Sequence, residues 1–341
     1  MKKVNLLLGL LGLLFLANCS NDFELVAAGE DTPIVYGLLS RADTAHYIRV
    51  ERAFIDPEVS ALEIAQRPDS LYYENLSVRV ERASNPDEFW ILQPVDGADE
   101  GYPKSGGIFA NQPNILYKFK LEPGEELVEK EKYIIKIDRG DGKPTVTGET
   151  TILSDMRVSQ PATVKPQKWI YGDDINASNP DVSWRFEVEA VFFDLKIRVN
   201  VRKINLSDPA ASEDQSLIWT IARNITPEDQ GDRSRKFRIP AAGMFQFIGS
   251  ELEADPNVEY EFIGYDYIVE AGGQELKDYI NIGLANTGIT SSQITTNFTN
   301  LSEGLGVFSS RNTVIYEGFG LTSQSLDSLR QGVFTRDLKF R

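Results

Sequence analysis

The chain has 341 residues, a formal net charge of −16 and a single cysteine, with 51 Asp and Glu set against 35 Lys and Arg. So acidic a surface repels phosphate backbones and anionic lipid alike, which argues against nucleic acid as a partner and against a basic membrane-docking face. One cysteine forms no internal disulfide, and the lone histidine, His46, finds no second imidazole for a zinc or copper site.

The first residues read as a targeting segment. Met1, Lys2 and Lys3 make a positive start, and residues 4–16 are apolar apart from Asn5. That run suits a signal-peptide core and falls short of the roughly 20 residues a spanning helix needs. Residues 1–18 are therefore expected to be a signal peptide. Leu16-Ala17-Asn18-Cys19 resembles the lipobox of bacterial lipoproteins, with Asn18 departing from the usual small residue before the cysteine. The resemblance implies lipid attachment at Cys19 and a membrane partner reached through that anchor. An ordinary secretory signal with an incidental cysteine is the plainer alternative. Acyl chains contribute about 0.8 kcal/mol per buried CH₂, and a stable anchor needs more than one. Residues 19–32 would then be a lipidated tether, and losing Lys2 and Lys3 takes the net charge from −16 to −18.

From Pro33 onward period-two alternation dominates. Residues 34–39 are rich in β formers, and residues 46–52, 77–82 and 117–122 alternate apolar with polar or charged side chains, as half-buried strands do. Residues 133–137 and 145–153 flank Asp138-Arg139-Gly140-Asp141-Gly142, whose Asp-Gly content marks a hairpin turn. Ser60-Ala61-Leu62-Glu63 fits a capping box and predicts a short helix that Pro68 closes. Strands at these intervals predict an immunoglobulin-like β-sandwich over 33–153.

Rising polarity and two prolines over residues 154–167 predict a boundary, followed by a second β-rich domain over 154–341. Trp184, Phe186 and Val188 alternate against Arg185, Glu187 and Glu189. Then the parity slips, and Phe193, Leu195, Ile197, Val199 and Val201 take over. One continuous strand would turn its second half inside out, so a turn or bulge is predicted near Ala190. Further strands are expected over 217–222, 236–239, 260–269, 313–319 and 335–340. Leu276, Ile280 and Leu284 repeat at helical spacing behind Gly272-Gly273, and another short helix is expected over 325–329. The fold class predicted is mainly β: a sandwich, then a β-rich domain with a few short helices.

Several of these stretches together resemble a known group. The lipobox, Pro33-Ile34-Val35-Tyr36-Gly37-Leu38-Leu39, Tyr47-Ile48-Arg49-Val50, Pro68-Asp69-Ser70-Leu71-Tyr72-Tyr73 and the NLSEGLGVFSS run at 300–310 are similar to uncharacterised lipoproteins of Bacteroidota. That group is similar in turn to lipoproteins found beside TonB-dependent outer-membrane receptors. The resemblance implies an outer-membrane address, an N-terminal immunoglobulin-like domain and a receptor protein as partner. It implies no reaction. Ser20 behind Cys19, in place of an aspartate, favours the outer membrane on the same grounds. Asp43-Thr44-Ala45, Asp69-Ser70-Leu71 and Asp327-Ser328-Leu329 fit that phylum's O-glycosylation pattern.

Chemistry-bearing sets are few. His46 shares a strand face with Ile48 and Val50, which favours a structural imidazole over a general base. Carboxylates cluster at Asp56 with Glu58, at Asp173-Asp174, and at Glu251 with Glu253 and Asp255, all among polar loop neighbours. Counting alone does not exclude a glycosidase-type pair. Residues 138–142 lack the spacing of a calcium loop, and Arg139-Gly140-Asp141 reads as a turn. Gly304-Leu305-Gly306 lacks the context of a phosphate loop and reads as a glycine turn permitting close backbone approach. Trp184 and Trp219 sit in strands and read as core. Trp169 and Tyr171, in a polar segment, are the exposed aromatics predicted to touch a ligand. No catalytic, cofactor or metal set emerges. The function expected is a non-enzymatic binding or accessory lipoprotein. A structural or adhesive surface component and a carboxylate-based glycan hydrolase are the alternatives.

Overall fold

The computed structural model describes residues 31–53, 59–172, 178–229, 231–286 and 298–341. The expected signal peptide, Cys19 and the tether up to residue 30 lie outside the described residues, as do Asp56, Glu58, Asp173 and Asp174.

The protein is mainly β, as its alternation dictates. Its first half forms β1 (Thr32–Leu39), β2 (Ala45–Ala53), β3 (Ser77–Arg82), β4 (Asn85–Asp96), β5 (Ile115–Lys120), β6 (Lys132–Asp138) and β7 (Val146–Thr151). Val35, Ile48, Val78, Val80, Ile135 and Ile137 take the inward parity and are fully buried. β4 serves two neighbours: residues 89–92 pair with β3, and residues 93–96 pair with β5. β4 thus joins the strands β1-β2-β5 to the strands β3-β6-β7 around this core. Between β2 and β3, the Ser60 hydroxyl caps α1 (Ala61–Ala65) by accepting from the Glu63 N–H at 3.2 Å. This helix ends at Ala65, ahead of Pro68, which has a second part to play. That proline opens α2 (Pro68–Leu71), because a proline at the first helical position has no N–H to lose.

The second half adds β8 (Arg157–Gln160), β9 (Asp181–Arg185), β10 (Phe192–Asn205), β11 (Glu213–Ile225), β12 (Ser234–Arg238), α3 (Ala241–Glu251), β13 (Val258–Gly272), α4 (Gln274–Asn286), β14 (Leu305–Phe319) and α5 (Ser323–Gln331). The parity slip near Ala190 is a turn, closed by the Ala190 N–H donating to the Glu187 carbonyl at 3.1 Å. It carries the chain from a small sheet, β12-β9-β8, into the large one. Beyond the turn, Phe193, Leu195, Ile197, Val199 and Val201 all face the second core and are fully buried. The closing strand expected over 335–340 is instead a 3-10 turn, Arg336–Leu338, and Phe340 alone bridges to Tyr260. Both Leu338 and Phe340 are buried, so the alternation that suggested a strand is real while its backbone is not extended.

Two hydrophobic cores result, with Ile152 in the first and Leu153 in the second. β14 joins them. Residues 305–310 run parallel to β1, and residues 311–319 pair antiparallel with β13. Leu301 and Phe308 thus fill the first core although they come from the far end of the chain. Gly306, at φ +115°, lies where a Cβ would collide with the Val35 carbonyl, so the close approach read from Gly304-Leu305-Gly306 is observed. Asn300 locks this entry: its side chain accepts from the Phe308 N–H at 2.9 Å and donates to the Phe308 carbonyl at 2.7 Å. Ser302 donates its N–H to the Thr147 carbonyl at 2.7 Å, which covers part of the β7 edge. No helix among the described residues is long and apolar enough to cross a membrane.

Candidate binding groove

Alternation gives Val35 and Ile48 to the first core and leaves Tyr36 on β1 and Tyr47 on β2 pointing outward. α4 lies over this face and brings Tyr279. It is fastened at its start by the Gly273 N–H donating to the Ser310 carbonyl at 3.1 Å, and by Glu275 accepting from the Ser309 hydroxyl at 2.9 Å. The loop after β4 brings Tyr102, whose carbonyl accepts from the buried Asn114 amide at 2.6 Å. The four tyrosines line a groove of about 730 Å³.

Their rings meet in pairs. Tyr36 and Tyr279 sit edge to face with centroids 5.9 Å apart, and the Tyr279 hydroxyl donates to that of Tyr36 at 3.3 Å. Tyr47 and Tyr102 are 5.0 Å apart, and Tyr102 remains 53% exposed. Burial, and then the bond with Tyr279, push the Tyr36 phenol up to about 12. Burial also raises Tyr47, assisted by the hydrogen bond it donates to Glu100 at 2.8 Å. Both stay protonated across physiological pH and offer hydroxyls as donors and acceptors. The charged groups around them are already matched: Arg49 with Glu51 at 2.9 Å, Lys104 with Glu51 at 3.0 Å, Arg311 with Asp43 at 2.9 Å, and Lys118 with Glu100.

His46 borders the groove but turns its ring inward. It is 2% exposed and stacks on Phe119 at 4.6 Å. Burial pulls it down to about 4, with Asp43 and Arg311 acting in opposite senses, so the imidazole is neutral at physiological pH.

The aromatics predicted to touch a ligand are elsewhere, and their expected exposure is corrected. Trp169 is fully buried in the second core, its indole N–H donating to the Tyr265 hydroxyl at 3.1 Å and its backbone N–H to the Ser325 hydroxyl at 2.8 Å. Tyr171 is half-buried between Phe245 at 5.1 Å and Phe334 at 5.3 Å. Their segment looks polar in sequence, yet Gln167 exchanges backbone hydrogen bonds with Gly320 and Thr322, at 2.9 and 3.0 Å, which draws the chain inward. Glu251, Glu253 and Asp255 are exposed around the turn after α3. Arg139 is buried against Asp31 at 3.5 Å, while Gly140 and Asp141 stay exposed in the hairpin turn. Of the three hydroxyls fitting the glycosylation pattern, Thr44 is exposed, Ser328 half-buried and Ser70 buried. Among the described residues no three His, Cys, Asp or Glu side chains converge as metal ligands would.

The groove tyrosines went unrecognised in the sequence. Tyr36 and Tyr47 carried a signal, since each is a large aromatic at the outward parity of its strand. Tyr102 and Tyr279 carried none, because the loop and helix that deliver them are placed by tertiary contacts. The chain matches no protein-family model, and no curated protein resembles it detectably in sequence. Fold and groove define only a class: a mainly β protein with an aromatic cleft on a sheet face overlain by one helix.

Proposed function

We propose that this chain is an outer-membrane lipoprotein, anchored through Cys19, whose folded body binds a partner without transforming it and serves a TonB-dependent receptor as an accessory component. The observation that carries the binding part is the tyrosine groove. Four phenols present apolar ring faces beside their hydroxyls, a lining suited to stacking and hydrogen bonding. The carboxylates around it, Asp43, Glu51 and Glu100, are each held by a cation, which weighs against a free acid–base pair of the glycosidase kind. The neutral, inward-facing His46 supports the same reading. The membrane address rests on the targeting segment and the lipobox.

Capture with the tagged full-length protein from detergent-solubilised membranes tests the partnership. The expected result is one co-purifying outer-membrane receptor, lost from the Tyr36→Ala/Tyr102→Ala variant. An empty lane from the wild-type protein overturns the reading. Detergent-phase partitioning tests the anchor: Cys19→Ala is expected to move the protein to the aqueous phase, and an unchanged distribution rules out lipid at that residue.

A further inference from the structure

The small sheet β12-β9-β8 carries an arginine arrangement that its own packing does not use. Alternation gives Val182 and Trp184 to the second core and leaves Arg157, Arg185, Ser234 and Lys236 exposed on the outer face. Strand pairing sets Arg157 directly opposite Arg185, and Arg185 opposite Ser234. Directly opposed residues of an antiparallel pair have Cα atoms about 4.5–5.5 Å apart, and like charges so placed weaken a sheet. In a chain of net charge −16, carboxylates to relieve that contact are plentiful. Neither arginine has an ion-pair partner among the described residues.

The acidic groups nearby are engaged by other cations. Asp181 takes Lys236 at 2.7 Å and Arg238 at 2.9 Å, and its bonds to Arg238 and then Lys236 hold it down at about 2. Glu228 holds Arg235. Asp155 is held by Arg41 at 3.2 Å, and Glu187 by Lys130 at 3.2 Å with Arg233 at 3.9 Å. The same face floors a groove of about 730 Å³, where Ser159, Ser183, Ser234 and Gln160 add hydroxyls and an amide beside the guanidinium groups.

We propose that this groove binds an oxyanion, namely a sulfate, phosphate or carboxylate borne by a polar ligand, held jointly by Arg157 and Arg185 with Arg233 at the rim. Guanidinium forks meet such groups bidentately and stay charged at any physiological pH, and the Ser234 hydroxyl and the Gln160 amide NH₂ add neutral donors, Ser159 and Ser183 donating within the protein. A cross-strand pair that costs stability and has no counter-charge among the described residues gains one from the ligand. The site is separate from the tyrosine groove and does not depend on the receptor reading.

Calorimetric titration of the full chain in neutral detergent at low ionic strength tests it, with inorganic sulfate, inorganic phosphate and trigalacturonate as probes. At least one probe is expected to bind. Arg157→Ala/Arg185→Ala should weaken it about tenfold or more, whereas Arg238→Ala, which removes a matched cation from the same sheet, should leave it unchanged. Arg185→Glu, which sets opposite charges across the two strands, is a second folded variant expected to show the same loss. Binding of trigalacturonate alone assigns the site to acidic sugars; binding of the inorganic ions assigns it to phosphate or sulfate groups. The proposal is overturned if no probe binds at millimolar concentration, if the double variant keeps wild-type affinity, or if Arg238→Ala loses as much as the double variant.

Discussion

Two sheet faces in the second half of the molecule carry rows of basic side chains, and they differ in how the charges are met. On β10, Lys196 meets Glu270 at 2.6 Å, Arg198 meets Asp266 and Glu317 at 2.8 Å each, and Arg202 meets Asp214 at 2.6 Å. On β8 and β9, Arg157 and Arg185 face one another, and neither has an ion-pair partner among the described residues. The first row depends on Asp266, which is 3% exposed and also accepts from the Asn200 amide at 3.0 Å and the Gly318 N–H at 2.8 Å. A buried carboxylate without partners costs several kcal/mol, so packing compels the match. The second row is open to water, and hydration carries the charge at a cost of a few tenths of a kcal/mol. Matched charges here report packing; unmatched ones are open to what approaches from outside.

The largest effect tests the matched row. Asp266→Ala leaves Arg198, Asn200 and the Gly318 N–H without their common acceptor and is expected to cost about 3–5 kcal/mol. Urea unfolding measures it, and a loss below about 1 kcal/mol would dissolve the contrast between the two faces.

An intermediate effect tests burial without any match, in the first core. His46 is held at about 4 against an ordinary value of 6.5. Between those two values the unfolded chain binds a proton that the folded chain refuses. Stability therefore falls as pH drops from about 6.5 to about 4, by up to about 3 kcal/mol, and this contribution changes no further below. His46→Phe should flatten that part of the profile, read as urea midpoint against pH. An unchanged slope would show that other groups carry it.

The smallest effect has the opposite sign. Arg185→Glu replaces a like-charge contact by an opposite one and should stabilise the fold by about 0.2–1 kcal/mol. A loss of more than about 1 kcal/mol would make Arg185 a structural residue.

Local pattern foretold much of this fold. The alternation of β3 and β10, the turn at Ala190, the capping box at Ser60 and the helical spacing of Leu276 and Ile280 all act within a few residues, and each is observed. What pattern could not reveal depends on partners far along the chain. Trp169 sits among polar neighbours, and only its contacts with Tyr265 and Ser325 make it core. Tyr36 meets Tyr279 across more than half the sequence. Arg185 reads in the sequence as an ordinary alternating charge and Arg157 carries no signal, because whether a charge is matched is decided by strand order, which alternation does not encode.

β14 also governs when the protein can finish folding. Ile34 pairs with Leu305 and Leu39 with Ser310, so the first strand, hydrogen-bonded to β2 on one side, lacks its second neighbour until almost the entire chain has been made. Until then the N-terminal core also lacks Leu301 and Phe308. Contacts this distant in sequence come late, after the entropy of closing a very long loop has been met, and they place the protein among slow-folding topologies. A fragment ending before residue 298 keeps β1 as an open edge beside an underfilled interior.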